Sequence, residues 1–152
     1  MPRGSSCRSL GSRRSDLADY LDGRHVADVV VVRALGIDAV DIPRFRAVLE
    51  RTPRLADRLF TSAERTAAAR RADATSMLAA RFAVREATMK ALGVGLGAFD
   101  FHDVSVTSDA SGQPSLNVRG RAAELAEARG VQHWLVSITH TDQTAIAVVA
   151  AN

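Results

Sequence analysis

Lys90 is the only lysine in the chain, and arginine supplies all the other basic side chains apart from histidine. Arginine and lysine replace each other on most surfaces, so an isolated lysine indicates a place where a compact ammonium is needed, such as contact with a phosphate oxygen. Chance explains a single lysine equally well. Lys90 is therefore a candidate phosphate-binding residue on composition alone.

Glu86 lies four residues before Lys90 in a stretch with helical periodicity. Side chains four residues apart project from the same face of a helix, about 6 Å apart at Cβ. The two residues form either an ordinary surface ion pair, worth about 0.3 kcal/mol, or a carboxylate and an ammonium that face a metal–phosphate group together. The spacing alone does not separate these alternatives.

Asp38 supplies a second carboxylate from a distant part of the chain. It follows the apolar stretch Leu35-Gly36-Ile37, where an acidic side chain is partly desolvated and needs a partner. Asp38 is either a capping or hydrogen-bonded residue or a metal ligand. Two carboxylates from separate segments suit Mg²⁺, which takes few protein carboxylates and completes its octahedron with waters and substrate phosphates.

Gly93 and His140 are weaker candidates. Gly93 is predicted to end the helix that carries Lys90, and the glycine-rich stretch that begins there would let backbone N–H groups approach a phosphate. His140 is either a hydrogen-bonded turn residue or a phosphate contact. A nucleophilic pair of His140 with Ser137 is disfavoured because the chain has no Gly-x-Ser-x-Gly motif around that serine.

Periodicity and capping signals predict the elements that position these residues. Asp41 is the expected N-cap of a helix, and Thr61 with Glu64 fits a capping box. We predict an α+β fold with a mostly antiparallel sheet and helices packed on one side. The predicted elements are a buried strand at 29–39, helices at 42–51, 61–71 and 74–92, strands at 104–107 and 115–118, a helix at 121–129, and strands at 133–139 and 144–150.

The composition predicts one domain at 29–152, preceded by a polar, disordered tail at 1–28 that is rich in serine and arginine. A single cysteine, Cys7, excludes an internal disulfide and a zinc site built on several thiolates. No apolar run reaches the roughly 20 residues of a membrane helix, and the first residues lack the apolar segment of a secretory signal. We therefore expect a cytoplasmic protein without a membrane partner.

The basic charge is concentrated at residues 44–85, which hold ten arginines against four acidic residues. Such a segment either is a solvated surface or steers an acidic partner toward the protein. A basic nucleic-acid-binding module is the competing alternative for the whole chain. Aromatic residues make up only 5% of the chain, however, which is few for a base-stacking surface, so we expect no nucleic-acid partner.

The chain contains three separated blocks, GIDAVDIPRF at 36–45, ARFAVREATMKALG at 80–93 and VSITHT at 136–141. Together these blocks resemble the small holo-acyl-carrier-protein synthases, which are 4'-phosphopantetheinyl transferases. The resemblance covers about residues 30–150. One departure is Arg85, which stands where these enzymes often have lysine.

The resemblance implies the 4'-phosphopantetheinyl transferase fold and a homotrimer that binds coenzyme A between protomers. It implies Mg²⁺-dependent transfer of the 4'-phosphopantetheine of coenzyme A to a serine of an acidic acyl-carrier protein, in support of fatty acid biosynthesis. A catalytically inactive trimeric relative is the alternative. The implied roles are Mg²⁺ ligands for Asp38 and Glu86, pyrophosphate contact and catalysis for Lys90, carrier-protein contact for Arg44, and a place near the coenzyme A phosphates for Gly93, His140 and Thr141.

Overall fold

The computed structural model of the protein describes residues 31–152. The predicted tail at 1–28 and the first two residues of the predicted strand at 29–39 lie outside the described residues. In chain order the elements are β1 Ala34–Asp41, α1 Ile42–Arg51, α2 Arg54–Leu59, α3 Ser62–Ala69, α4 Ala74–Ala91, a 3₁₀ turn Phe101–Asp103, β2 Val104–Ser108, β3 Pro114–Val118, α5 Gly120–Glu127, β4 Trp134–His140 and β5 Thr144–Ala151.

Three strands form an antiparallel sheet in the order β1-β5-β4, and β2 and β3 form a separate antiparallel hairpin. The long helix α4 packs on one face of the three-stranded sheet, mainly against β1 and β5. The predicted α+β class, with an antiparallel sheet and helices on one side, is confirmed. None of the helices in the described part of the chain has the length and hydropathy needed to cross a membrane.

β1 differs from the predicted strand in two ways. It begins at Ala34 because its partner β5 ends at Ala151, the residue that pairs with Ala34. The prediction of a buried strand is also wrong, because α4 covers only one of its faces. Leu35 and Ile37 point to the other face and are 64% and 58% exposed.

Local capping signals were predicted correctly. The Asp41 side chain accepts a hydrogen bond from the Arg44 backbone N–H at 2.8 Å. Thr61 and Glu64 form both halves of the capping box at the start of α3. Gly93 follows α4 with a φ of 62°, a left-handed conformation that glycine adopts without steric cost.

Some element bounds were predicted less well. The helix α2 was not predicted, because its six residues follow Pro53 and are too few to show a periodicity. α3 ends at Ala69, two residues before the predicted end. α5 spans Gly120–Glu127 instead of 121–129, and β4 includes His140 as its last residue.

The core lies between α4 and the sheets. Small side chains of α4, Ala83 and Ala87, pack against Ala147 of the central strand β5, which lets the helix backbone approach the sheet. Farther along α4, Met89 and Leu92 pack against the β2 and α5 regions. The sheet therefore holds α4 firmly, and α4 carries both Glu86 and Lys90.

Candidate active site

Asp38 and Lys90 meet across the contact between β1 and α4. Strand alternation places Asp38 on the face that α4 covers, two residues after Gly36. Lys90 Nζ donates to Asp38 Oδ1 at 2.8 Å and to the Ile37 carbonyl at 3.0 Å. The Asp38 side chain is 16% exposed and the Lys90 side chain 53% exposed. The expectation that Asp38 is partly desolvated and needs a partner is confirmed.

Glu86 completes a group of three charged side chains. It is half-buried on α4. Burial raises its pKa above the ordinary value, as does the negative charge of Asp38, while Lys90 acts in the opposite direction. The ammonium of Lys90 therefore does not offset the burial of Glu86 and its repulsion by Asp38. The ion-pair interpretation of Glu86 with Lys90 needs correction, since Lys90 donates to Asp38 across the strand–helix contact.

The residues present fit a magnesium ion better than a metal with many protein ligands. In residues 31–152 no three histidine, cysteine or acidic side chains come together as a metal-binding group. Asp38 and Glu86 offer two carboxylates that are each partly exposed to solvent. This donor set leaves several coordination positions for waters and phosphates, as Mg²⁺ prefers.

Arg85 has a different role from the neighbouring Lys90. It is fully buried, and its guanidinium makes a bidentate contact with Glu64, Nη2 to Oε2 at 2.6 Å and Nη1 to Oε1 at 3.2 Å. Its Nε donates to the Phe101 carbonyl at 2.9 Å. Glu64 also accepts from the Val106 backbone N–H at 3.1 Å. The ion pair thus ties α3, α4 and β2 together.

Sequence reasoning identified Glu64 as a capping residue and missed this ion pair. The signal was present, since Arg85 lies between buried apolar positions of α4, where a charge requires a partner. The partner lies 21 residues away in sequence, beyond any local pattern. The predicted basic surface at 44–85 also needs correction, because Arg81 and Arg85 are buried and cannot contact an acidic macromolecule from the surface.

A basic cleft of about 840 Å³ lies beside α3, between that helix and the β2–β3 hairpin. Its lining includes Arg70, Arg71, Arg81 and Arg119. Arg81 Nε makes no hydrogen bond to the described residues, and Glu64 Oε1 lies 3.7 Å from it. The cleft concentrates positive charge, which suits a ligand with phosphate groups.

His140 and Thr141 are not brought to Asp38 within one chain. His140 ends β4 and lines a second cleft of about 560 Å³, which shares Arg71 and Arg81 with the first cleft. Thr141 forms the turn to β5, and its Oγ1 accepts from the backbone N–H of Thr144 at 3.1 Å. β1 and β4 are the outer strands of the sheet, so β5 separates His140 from Asp38 by two strand spacings, about 10 Å.

The two remaining predicted residues occupy helix ends. Arg44 lies in the first turn of α1 and is exposed, on the same segment of chain as Asp38. Gly93 donates its backbone N–H to the Lys90 carbonyl at 3.0 Å. It therefore closes the helix that carries Lys90, as capping chemistry predicts.

The comparison with known families decides what kind of protein carries this site. The model of the 4'-phosphopantetheinyl transferase superfamily matches residues 34–149. The chain belongs to this superfamily. The match includes β1 with Asp38, α4 with Glu86 and Lys90, and β4 with His140. The chain is therefore a transferase with the fold of this superfamily.

Curated relatives and solved structures agree with this membership. The chain is 44% identical over 121 residues to the holo-[acyl-carrier-protein] synthase of Salinispora arenicola, and the alignment covers 80% of this chain and 98% of the relative. It is 46% identical over 121 residues to that of Streptomyces griseus, with the same coverage.

Two solved structures share the fold at similar coverage. The holo-[acyl-carrier-protein] synthase of Neisseria meningitidis matches with a TM-score of 0.73 and 27% identity, over 80% of this chain and 99% of the other. The Helicobacter pylori holo-[acyl-carrier-protein] synthase, solved in complex with coenzyme A, matches with a TM-score of 0.68 and 28% identity, over 78% of this chain and 99% of the other.

Proposed function

We propose that the chain transfers the 4'-phosphopantetheine group of coenzyme A to a serine of an apo-acyl-carrier protein and releases 3',5'-ADP. The observation that carries the proposal is the meeting of Asp38, Glu86 and Lys90 at one strand–helix contact in a member of this superfamily. The names of the relatives give the carrier protein as the acceptor. Modification of this kind supports fatty acid biosynthesis.

Asp38 and Glu86 would hold Mg²⁺. Burial and the negative charge of Asp38 raise the pKa of Glu86, and a divalent cation beside the carboxylate would relieve both effects. When bound, the ion supplies Lewis-acid stabilisation of the pyrophosphate charge. Lys90 contributes a fixed ammonium beside the same carboxylates.

The transfer is a displacement at phosphorus. The carrier serine oxygen bonds to the β-phosphorus of coenzyme A, and the bond from that phosphorus to the bridging pyrophosphate oxygen breaks. The electron pair stays on the leaving 3',5'-ADP, where the Lys90 ammonium stabilises it. The serine proton passes to a base, for which Glu86 and a water molecule are the candidates.

The basic clefts support a nucleotide substrate. Arg70, Arg71 and Arg119 line the larger cleft, and we assign it to an anionic group of coenzyme A other than the pyrophosphate, which is assigned to Lys90. His140 and Thr141 stay assigned to the coenzyme A phosphates, and so does Gly93.

The outer face of the three-stranded sheet supports the homotrimer. Leu35, Ile37 and Leu135 lie on this face and are each more than half exposed in the single chain, and Ile146 and Val148 of β5 lie between them. An apolar face of this kind is typical of an interface. Assembly of copies would also bring the β4 edge of one protomer near the β1 edge of another. His140 of one protomer would then lie in the same site as Asp38 of the next.

We further propose that exposed Arg44 contacts the acidic carrier protein, that the working domain spans 29–152, and that the protein is cytoplasmic. The carrier contact predicts that added salt raises the carrier KM more than the coenzyme A KM. Deletion of residues 1–27 tests the domain boundary, with little loss of activity expected. A salt titration against generic DNA tests the nucleic-acid alternative.

The decisive experiment incubates an apo-carrier protein with the chain, coenzyme A and Mg²⁺ and measures the carrier mass. We expect a gain equal to one phosphopantetheine. Asp38→Asn and Glu86→Gln should nearly abolish the gain while circular dichroism shows an intact fold. Full turnover in saturating EDTA would contradict the magnesium assignment. If no carrier protein gains mass, the chain is better explained as a catalytically inactive relative.

A further inference from the structure

At Gly36 the backbone of β1 lies directly against the backbone of α4. A Cβ atom built at this position would lie 2.7 Å from the Ala91 nitrogen and 2.9 Å from the Ala87 carbonyl carbon, with the Ala87 carbonyl oxygen closer still. These are backbone atoms of a regular helix, and they cannot rotate away as a flexible side chain can. Gly36 is not among the glycines with positive φ, so close packing is what requires the glycine here.

This contact is aligned with the three charged residues of the site. Asp38 lies two residues after Gly36, on the same face of β1. Glu86 directly precedes Ala87, and Lys90 directly precedes Ala91. The Asp38–Lys90 distance of 2.8 Å therefore depends on a strand–helix separation that only a glycine permits.

We propose that Gly36 is a positioning residue that sets the gap between Asp38 on β1 and Glu86 and Lys90 on α4, an inference that rests on the proposed function. Any side chain at position 36 must push α4 outward by roughly 1 Å to reach ordinary van der Waals separation. Mg²⁺ demands ligands at about 2.0–2.1 Å in near-ideal octahedral geometry. A displacement of this size can cost about 10²-fold in rate.

The test is a set of four proteins: wild type, Gly36→Ala, Asp38→Glu and the double variant. Glutamate is one methylene longer than aspartate. At position 38 it is therefore too long for the native separation of β1 and α4, but it spans the separation widened by Gly36→Ala. We measure Mn²⁺ affinity by electron paramagnetic resonance without coenzyme A, and kcat separately. We expect each single variant to lose at least about tenfold in Mn²⁺ affinity, and the double variant to bind more tightly than either.

Two outcomes would overturn the inference: Gly36→Ala with wild-type Mn²⁺ affinity, or a folded double variant that binds no more tightly than the better single variant. Ala79→Gly is the matched control, because it weakens the same helix by about 1 kcal/mol through propensity at a fully buried position two turns from Glu86. It should lower Tm and leave Mn²⁺ affinity within about twofold, as expected for a site it does not touch.

Should Gly36→Ala not fold, Ala87→Ser is the second variant, because its added atom lies where Ala87 packs against Ala147 and pushes the same turn of α4 away from the sheet. It should weaken Mn²⁺ binding and be improved by Asp38→Glu, and unchanged affinity would count against the inference. Failure here is distinct from failure of the proposed function. A wild type that neither binds Mn²⁺ nor modifies a carrier refutes the function, whereas an active wild type with an insensitive position 36 refutes only the positioning role.

Discussion

The ammonium of Lys90 lies 2.8 Å from Asp38 Oδ1, on a strand 52 residues away in sequence. It donates to this carboxylate and not to Glu86, which lies one turn earlier in the same helix. Lys90 thus neutralises the strand carboxylate that we assign to the metal. An ammonium and a divalent cation compete for the same oxygen. The lysine therefore has two opposing effects at this site, which can be measured separately.

Removal of the competing ammonium should tighten metal binding. We expect Lys90→Met to raise Mn²⁺ affinity roughly fivefold in the absence of coenzyme A, since a half-exposed pair is worth about 1 kcal/mol or less. Turnover should fall in the same variant. Arg121→Met is the control, because Arg121 pairs with Glu124 on an exposed helix far along the chain. Equal or weaker Mn²⁺ binding by Lys90→Met would show that the ammonium does not compete.

Exchange of Lys90 for arginine should be poorly tolerated despite the equal charge. A guanidinium is broader and spreads its charge over a planar fork, and it cannot occupy the position between Asp38 and the Ile37 carbonyl in the same way. We expect kcat to fall by about 10²–10³, the usual cost of a lost preorganised contact. The reciprocal control, Arg121→Lys, should be silent. Near-normal kcat in Lys90→Arg would mean that the single lysine is an accident of composition.

The buried ion pair of Arg85 with Glu64 should make the stability of the protein depend on pH. Burial acts to raise the pKa of Glu64, but the hydrogen bond and charge of Arg85, with the backbone N–H groups of Val106 and Thr61, hold it below the ordinary 4.5. A lowered folded-state pKa stabilises the protein above pH 4.5, and that stability is lost as the pH falls through the lowered value.

Glu64→Gln should therefore lower the free energy of unfolding near pH 7 by about 3–5 kcal/mol, because Arg85 is left as a buried charge. The difference from wild type should shrink in acid, as urea titrations from neutral to low pH can show. Glu124→Gln removes an exposed carboxylate and should change stability by less than about 1 kcal/mol at any pH. A pH-independent difference for Glu64→Gln would contradict the ionised pair.

The outer sheet face predicts the assembly state. Leu135 lies level with Leu35 across Ala150 of β5, so Leu135→Glu places a charge within the apolar face. We expect light scattering to report trimers for wild type and monomers for this variant. Leu96 is 71% exposed but lies outside the sheet, and Leu96→Glu should remain trimeric. A monomeric wild type would remove the interface assigned to this face.

The sequence was sufficient for features with local causes. The N-cap at Asp41, the capping box of Thr61 and the C-terminal Gly93 each depend on residues within four positions, and each was predicted. The start of β1 was not, because it depends on where β5 ends at Ala151. Val31 and Val32, which precede Ala34, lie outside any strand in spite of their β propensity.

The candidate site was predicted as a set of residues but not as an arrangement. The matching blocks identified Asp38, Glu86 and Lys90, yet only the fold shows which carboxylate the ammonium contacts. The ion pair of Arg85 with Glu64 was missed for the same reason, since the two side chains meet only when α3 packs on α4. Long-range contacts of this kind leave no periodic pattern in the chain.

The placement of Asp38 and His140 on opposite outer strands has a genetic consequence. If each centre takes Asp38 from one copy and His140 from the next, Asp38→Asn and His140→Ala damage different halves of the same centre. Mixed assemblies of these two defective chains contain some centres in which both halves are intact. Co-expression of the two alleles should therefore restore part of the activity that neither has alone, as interallelic complementation.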